Sequence, residues 1–310
     1  MMEGEVLVDV RNIKKYFGPI KAVDDISFQV RRGEIFGFMG PNGAGKSTAM
    51  KIITCFLEQD SGAVRVAGHD TLTESLAVRQ KIGYLPESAP AYGEMTVTGF
   101  LEFVADARAI ADKAAAIDRV VDMTGLENVR YQTVETLSKG FKRRVGLAQA
   151  LIHDPEVLIL DEPTDGLDPN QKALVQDLIN RIARNKAIIL STHILDEVER
   201  VCNRALIISK GQILVDSTPQ ELIARADNHN VIKLELAEGD KALAKRIEDQ
   251  NWCERVIRQT ETQWEIVAKD RENHLGEVMD LLEGVAVTSI AVQEGRLEEL
   301  FREITEGVCA

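Results

Sequence analysis

The chain has 310 residues, 45% apolar and 28% charged, with a formal net charge of −13, and that length favours two cores of unequal size. The acidic balance argues against a nucleic-acid surface, which needs a basic patch to neutralise phosphates. No apolar stretch approaches the ~20 residues that cross a bilayer, no basic-then-apolar leader opens the sequence, and Cys55, Cys202, Cys253 and Cys309 stand too far apart for a metal or disulfide framework.

In chain order, Val6–Val10, Ala22–Val30 and Glu34–Phe38 are apolar runs of strand length, the last two joined by a tight turn at Arg31–Glu34. Helical spacing begins after Lys46. From about Gln80 to Thr133 the pattern is mostly helical, with turns near Pro86, Pro90 and Gly125, so the region 80–150 is expected to form an inserted helical arm. Val157–Leu160 and Ala187–Leu190 are unbroken apolar runs between helices, the pattern of parallel strands covered on both faces. Leu206–Ile208, Gly211 and Ile213–Val215 predict a closing hairpin, and Thr218-Pro219-Gln220-Glu221 predicts a helix start with proline in its first turn.

A polar linker, Asp227-Asn228-His229-Asn230, separates an expected larger domain, 1–226, from a smaller one, 230–310. Beyond it the spacing predicts a strand at Val231–Leu236, a helix at Lys241–Asp249 and strands at Arg255–Gln259 and Trp264–Ala268. A helix at His274–Leu282, a strand at Val285–Val292 and a helix at Leu297–Ile304 follow. The first six elements have the β-α-β-β-α-β order of a ferredoxin-like α+β unit. Residues 230–310 hold 18 acids against 10 bases, which makes this unit a poor match for anionic lipid or DNA.

Gly40-Pro41-Asn42-Gly43-Ala44-Gly45-Lys46-Ser47-Thr48 satisfies G-x-x-x-x-G-K-[ST] between a predicted strand and a predicted helix. Glycines there let backbone N–H groups converge on a phosphate at a helix N-terminus, with Lys46 reaching the β- and γ-phosphates and the Ser47 hydroxyl ligating Mg²⁺. Downstream, Leu158–Leu160 runs into Asp161-Glu162, two carboxylates that strand alternation is expected to point apart. That makes Asp161 the candidate Mg²⁺ partner and Glu162 the group that polarises an attacking water.

These two motifs also occur together in kinases and GTPases. Leu137-Ser138-Lys139-Gly140-Phe141, followed by Lys142–Ala148, resembles the signature segment of ABC ATPases, whose pattern is Leu-Ser-Gly-Gly-Gln. Leu137, Ser138, Gly140 and Arg144 agree with it, while Lys139 and Phe141 depart. The resemblance continues through Leu167-Asp168, matching the end of the D-loop, to Ser191-Thr192-His193, where His193 holds the place of the γ-phosphate-sensing histidine. Glu87 stands where most relatives carry the Q-loop glutamine and is a further metal candidate. Phe17, or its neighbour Tyr16, matches the ring that stacks on adenine.

The likeness covers residues 5–225 and implies an α/β phosphate-loop ATPase core with a helical arm, using ATP and Mg²⁺. It further implies two copies, or this chain and a related ATPase, facing head to tail so that Ser138, Gly140 and Asp168 of one meet the nucleotide of the other. Integral membrane transporter subunits and a cytoplasmic place on the inner face of the membrane follow from the same likeness. Signature variant, Glu87 and the acidic carboxy-terminal unit together resemble the ABC-2 exporter group, which includes gliding-motility, drug and polysaccharide systems. Two alternatives share some of these motifs: a non-transport ABC ATPase acting on ribosomes or DNA, and a phosphate-loop kinase with a regulatory tail. Against the first, no coiled-coil insertion, tandem unit or basic surface is visible; the second leaves Ser138, Asp168 and His193 without a task. The carboxy-terminal unit is compatible with dimerisation, ligand sensing or a packing cap.

Overall fold

The computed structural model describes residues 4–88, 91–226, 228–293, 295 and 297–306; Pro90, Asp227 and Cys309 fall outside them. Two compact units form, one ending at Ser217 and the other beginning at Thr218. In the first, β1 (Val6–Phe17), β2 (Ile20–Arg31) and β3 (Ile35–Met39) precede α1 (Lys46–Ile53), β4 (Ser61–Val66), β5 (His69–Asp70), α2 (Ser75–Lys81) and β6 (Ile82–Leu85). The arm follows as α3 (Val97–Ala107), α4 (Lys113–Thr124) and α5 (Lys139–Leu151). Then come β7 (Val157–Asp161), α6 (Pro169–Ala183), β8 (Ala187–Ser191), α7 (Leu195–Val201), β9 (Arg204–Ser209) and β10 (Gln212–Ser217).

β2-β1-β4-β5 make an antiparallel sheet and β10-β9-β3-β8-β7-β6 a second, six-stranded one. Within the second, β9-β3-β8-β7-β6 run parallel and β10 closes the edge as the antiparallel arm of the expected hairpin. Val157, Leu158, Ile159 and Leu160 are each fully buried, and each such side chain contributes about 1.5–3 kcal/mol by leaving water. That burial on both faces explains why the strand carries no polar residue before its tip. One expectation is corrected: Ile82–Leu85, placed within the arm, is a strand whose residues pair with Val157–Leu160 of β7.

The second unit contains α8 (Pro219–Ile223), β11 (Val231–Leu236), α9 (Lys241–Glu248), β12 (Cys253–Arg258), β13 (Gln263–Ala268), α10 (Leu275–Leu281), β14 (Val287–Gln293) and α11 (Leu297–Glu306). Its sheet has the order β12-β13-β11-β14, antiparallel throughout, which is the pairing a ferredoxin-like order requires. Ile232, Leu234, Leu236, Trp264 and Ile266 form one core with Leu243 and Ile247 of α9 and Val278 of α10. Lys233 and Glu265, paired across the strands, face the other way with 3.6 Å between their charged groups. Thr218 and Glu221 close a capping box on α8, which packs against α11 and so belongs with this unit, although the 1–226 boundary assigned it to the first.

Among the described residues no helix is long and apolar enough to cross a membrane. Cys202 and Cys253 are buried and Cys55 is half-buried, all as free thiols.

Candidate active site

β3, β8 and β7 are parallel neighbours, so their carboxyl ends bring three segments to one edge of the sheet: loop 40–48, Ser191–His193 and Asp161-Glu162. Crevices at that edge are where open α/β sheets bind ligands. Gly45 turns the loop into α1 with φ 110°, and a Cβ there would run into the Ala22 carbonyl oxygen. No side chain caps α1, which leaves its first-turn N–H groups to an anion. Asn42 and Gly43 are exposed on the loop, Gly40 and Ala44 are buried, and Ser47 and Thr48 are half-buried at the start of the helix. Lys46 is 8% exposed, and its Nζ donates to the carbonyls of Gly40 at 2.6 Å and Pro41 at 3.2 Å. Burial lowers its pKa, while the carboxylates of Glu162, Asp161 and Glu87 favour the cation.

Buried Asp161 accepts a hydrogen bond from Ser191 Oγ at 2.5 Å on Oδ1. Glu162 lies just beyond β7 with a left-handed backbone, φ 50°. Its N–H donates to the Ser191 carbonyl at 3.2 Å and to Ser191 Oγ at 3.1 Å. Glu162 Oε2 then stands 2.9 Å from His193 Nδ1. Burial pushes the Glu162 pKa up against the pull of His193 and Lys46. A carboxylate held above its ordinary value is a better proton acceptor for water. Behind it, Glu197 of α7 is 3% exposed and accepts from Thr164 Oγ1 at 2.6 Å and Thr192 Oγ1 at 3.1 Å. Glu197 thereby ties the loop after Glu162 to the loop before His193, a role no sequence motif marked.

Ser138, Gly140 and Asp168 form a second group. Ser138 caps α5 by accepting from the Phe141 N–H at 3.4 Å, and Asp168 caps α6 by accepting from the Gln171 N–H at 2.9 Å. A Cβ on Gly140 would displace the Gln171 side-chain amide, which lies against it. Lys139 reaches over Gly166 to pair with Asp165 at 3.0 Å. Within one copy, no described hydrogen bond of Ser138, Gly140 or Asp168 reaches Lys46, Asp161, Glu162 or His193.

Glu87 is exposed, and its charge acts on Lys46. Phe17 is 48% exposed at the end of β1, with Lys15 Nζ 5.7 Å from its ring centroid. The Tyr16 hydroxyl donates to Asp24 Oδ1 at 2.6 Å, which leaves Phe17 as the freer ring.

Ser47, Asp161 and Glu87 supply only oxygen donors, the chemistry a hard divalent cation takes. Among the described residues no three or more His, Cys, Asp or Glu side chains converge as a cage.

Sequence reasoning also missed Arg143. Arg144, which follows the signature pattern, lies half-exposed over Phe141, its guanidinium carbon 5.2 Å from the ring centroid. Arg143 is the one that turns inward, one helical turn after buried Gly140 and on the same face; that i, i+3 spacing was the available signal.

A sequence description of the family "ABC transporter" matches residues 23–165. The "Linearmycin resistance ATP-binding protein LnrL" of Bacillus subtilis (strain 168) is 32% identical over 309 residues, covering 96% of this chain and 98% of that protein. The "Probable multidrug ABC transporter ATP-binding protein YbhF" of Escherichia coli (strain K12) is 35% identical over 228 residues. That match takes in 73% of this chain but only 39% of YbhF, so the chain spans well under half of that relative's length. A solved structure, "Structure of ATP binding subunit of ABC transporter", superposes with a TM-score of 0.64 at 30% identity, covering 70% of this chain and 91% of that one.

Proposed function

Since this chain belongs to the ATP-binding proteins of ABC transporters, we propose that it hydrolyses ATP to drive export through an ABC-2-type membrane transporter. The observation that carries the reading is the meeting of Lys46, Asp161, Glu162 and His193 at the ends of β3, β7 and β8. Loop amides and Lys46 hold the β- and γ-phosphates. Ser47 and Asp161, with Glu87 at the rim, are the side chains that hold Mg²⁺, which when bound supplies positive charge beside the transferring phosphoryl group. Glu162 takes the proton of the attacking water, and His193 keeps its carboxylate turned toward that water. Phe17 offers a face to the adenine.

Ser138, Gly140 and Asp168 serve a second copy, or a related ATPase, because within one chain no described hydrogen bond links them to Lys46. Closure of two such copies around ATP, and release after phosphate loss, is the two-state motion that membrane subunits use. Those subunits hold the chain at the inner face of the membrane. The relatives' printed names, linearmycin resistance and multidrug transport, support export as the direction. Tyr92 and Phe103, both exposed at the start of the arm with ring centroids 5.3 Å apart, offer an apolar seat for a helix of the membrane subunit. A cysteine in place of neighbouring Met95 is expected to crosslink to that subunit, and no crosslink in an assembled transporter rejects the seat.

Steady-state turnover with Mg²⁺-ATP tests the main reading. Glu162→Gln is expected to lower kcat about 100- to 1,000-fold while ATP binding persists and a closed dimer accumulates. Parental turnover in that variant refutes Glu162 as the base.

A further inference from the structure

We propose that Arg143 is a positioning residue for hydrolysis, its guanidinium joining the Glu87 loop to the backbone that aims Glu162. The proposal rests on the ATPase reading above and deepens it. Arg143 is 4% exposed, yet among the described residues it forms no ion pair at all. Its donors go to backbone carbonyls instead. Nη1 donates to Pro86 at 3.1 Å and Glu87 at 2.5 Å, and Nε to Pro163 at 3.1 Å. Nη2 donates to the carbonyls of Asp161 and Glu162. One rigid planar group thus spans two segments, 86–87 and 161–163, just beyond the paired ends of β6 and β7.

The conformation of Glu162 gives the contact its consequence. A glutamate at φ 50° is held in a region that L-residues rarely occupy, and it persists only where neighbours over-determine it. Its N–H is pinned by Ser191 of β8 and its carbonyl by Arg143 of α5. These long-range anchors, one on each side of Cα, act with the local Asp165 N–H bond to fix the direction in which the side chain leaves, and so the 2.9 Å approach to His193 Nδ1. The Glu162 carbonyl also accepts from the Asp165 N–H at 3.2 Å, so removing Arg143 leaves it held by that local turn alone, with no tie to α5, and lets the carboxylate turn away. The same fork makes the coupling mechanical, because displacement of the Pro86 and Glu87 carbonyls must drag the guanidinium or break its bonds. Burial lowers the Arg143 pKa, while the carboxylates of Asp161, Asp165, Glu162 and Glu87 all favour its charged form. Lysine is not an equivalent: it keeps the charge on one nitrogen but cannot bridge five acceptors.

The test is Arg143→Lys in the full chain, assayed for turnover, for ATP binding without Mg²⁺ and for thermal unfolding. We expect kcat to fall at least about tenfold while KM and the ATP dissociation constant stay within about threefold and the unfolding midpoint holds. The double variant with His193→Ala supplies a readout that a merely structural role does not move. If Arg143 acts through the Glu162–His193 pair, adding Arg143→Lys to His193→Ala costs less than about threefold in kcat. Parental kcat in Arg143→Lys, loss of binding and fold in parallel with kcat, or a fully multiplicative double variant overturns the proposal. Should the lysine variant not fold, Arg143→Gln, which keeps a planar donor group, is read in the same way. A parental chain that hydrolyses no ATP refutes the ATPase reading itself, whereas parental hydrolysis with an indifferent Arg143→Lys refutes only this inference.

Discussion

In the first unit the polar atoms of interest sit at the tips of strands whose interiors are wholly apolar, whereas along β11 and β13 of the second, buried residues alternate with charged ones. A sheet covered on both faces cannot slide by a residue or tilt without exposing apolar surface, so its tips are fixed points on which Asp161 and His193 can be held to tenths of an ångström. The second sheet keeps its main core on one face. Its other face carries Lys233, Glu235 and Glu265 beside buried Val231 and Val267, so register is specified mainly through the core face. The first arrangement holds polar tips in place, and the second fixes a register.

If the units divide their labour in this way, each should be breakable by itself. Trp264→Ala empties the centre of the second core, where the ring is 3% exposed, and is expected to cost that unit about 3–5 kcal/mol. Both tryptophans of the chain, Trp252 and Trp264, lie in this unit, so emission from Trp252 still reports its unfolding in the variant. Turnover that falls in step with that emission would show the division to be false. Lys46→Ala makes the converse cut, with ATP affinity falling about 10- to 100-fold and the tryptophan-detected transition unmoved.

A smaller effect separates the units by sign. Burial, reinforced by Arg108, drives the His153 pKa from 6.5 down to about 4. A depressed histidine contributes stability that is present above pH 6.5 and lost as pH falls toward 4, on the order of 2 kcal/mol for the first unit. His274 of the second unit goes the other way. Desolvation pulls its pKa down, but hydrogen bonds to Asp270 and Glu277 outweigh it, so its contribution is full below pH 6.5 and is lost as pH rises through the elevated folded value. Acidification from neutral pH should therefore weaken the first unit relative to the second, and His153→Gln should flatten that trend in urea titrations run at several pH values.

These contrasts also explain what the amino acids revealed and what they hid. The phosphate loop was legible because its geometry demands particular residue types: only glycine suits φ 110° against the Ala22 carbonyl, so Gly45 leaves a mark in the sequence. Ferredoxin-like order was legible from alternation and spacing, and the strands pair as that order requires. β6 was not, since four residues between Lys81 and Pro86 become a strand only by pairing with β7. Arg143 was hidden for a deeper reason. Its acceptors are main-chain carbonyls, which every residue possesses, so no side chain at positions 86, 87, 161, 162 or 163 announces the contact. The left-handed turn at Glu162 was hidden with it, because besides the local Asp165 N–H bond it is held by Ser191 and Arg143 from distant parts of the chain.

The described thiols bear on how the protein can be handled at the bench. Burial raises Cys55 and Cys253 above the ordinary thiol range and Cys202, beside Gly37, to about 12. Because alkylation and disulfide exchange proceed through the thiolate, all three should stay nearly silent toward maleimides near neutral pH. Exchanging Cys309 alone for serine would then leave a background on which a spectroscopic or photoreactive label at position 95 reports a single place, with the native interior untouched.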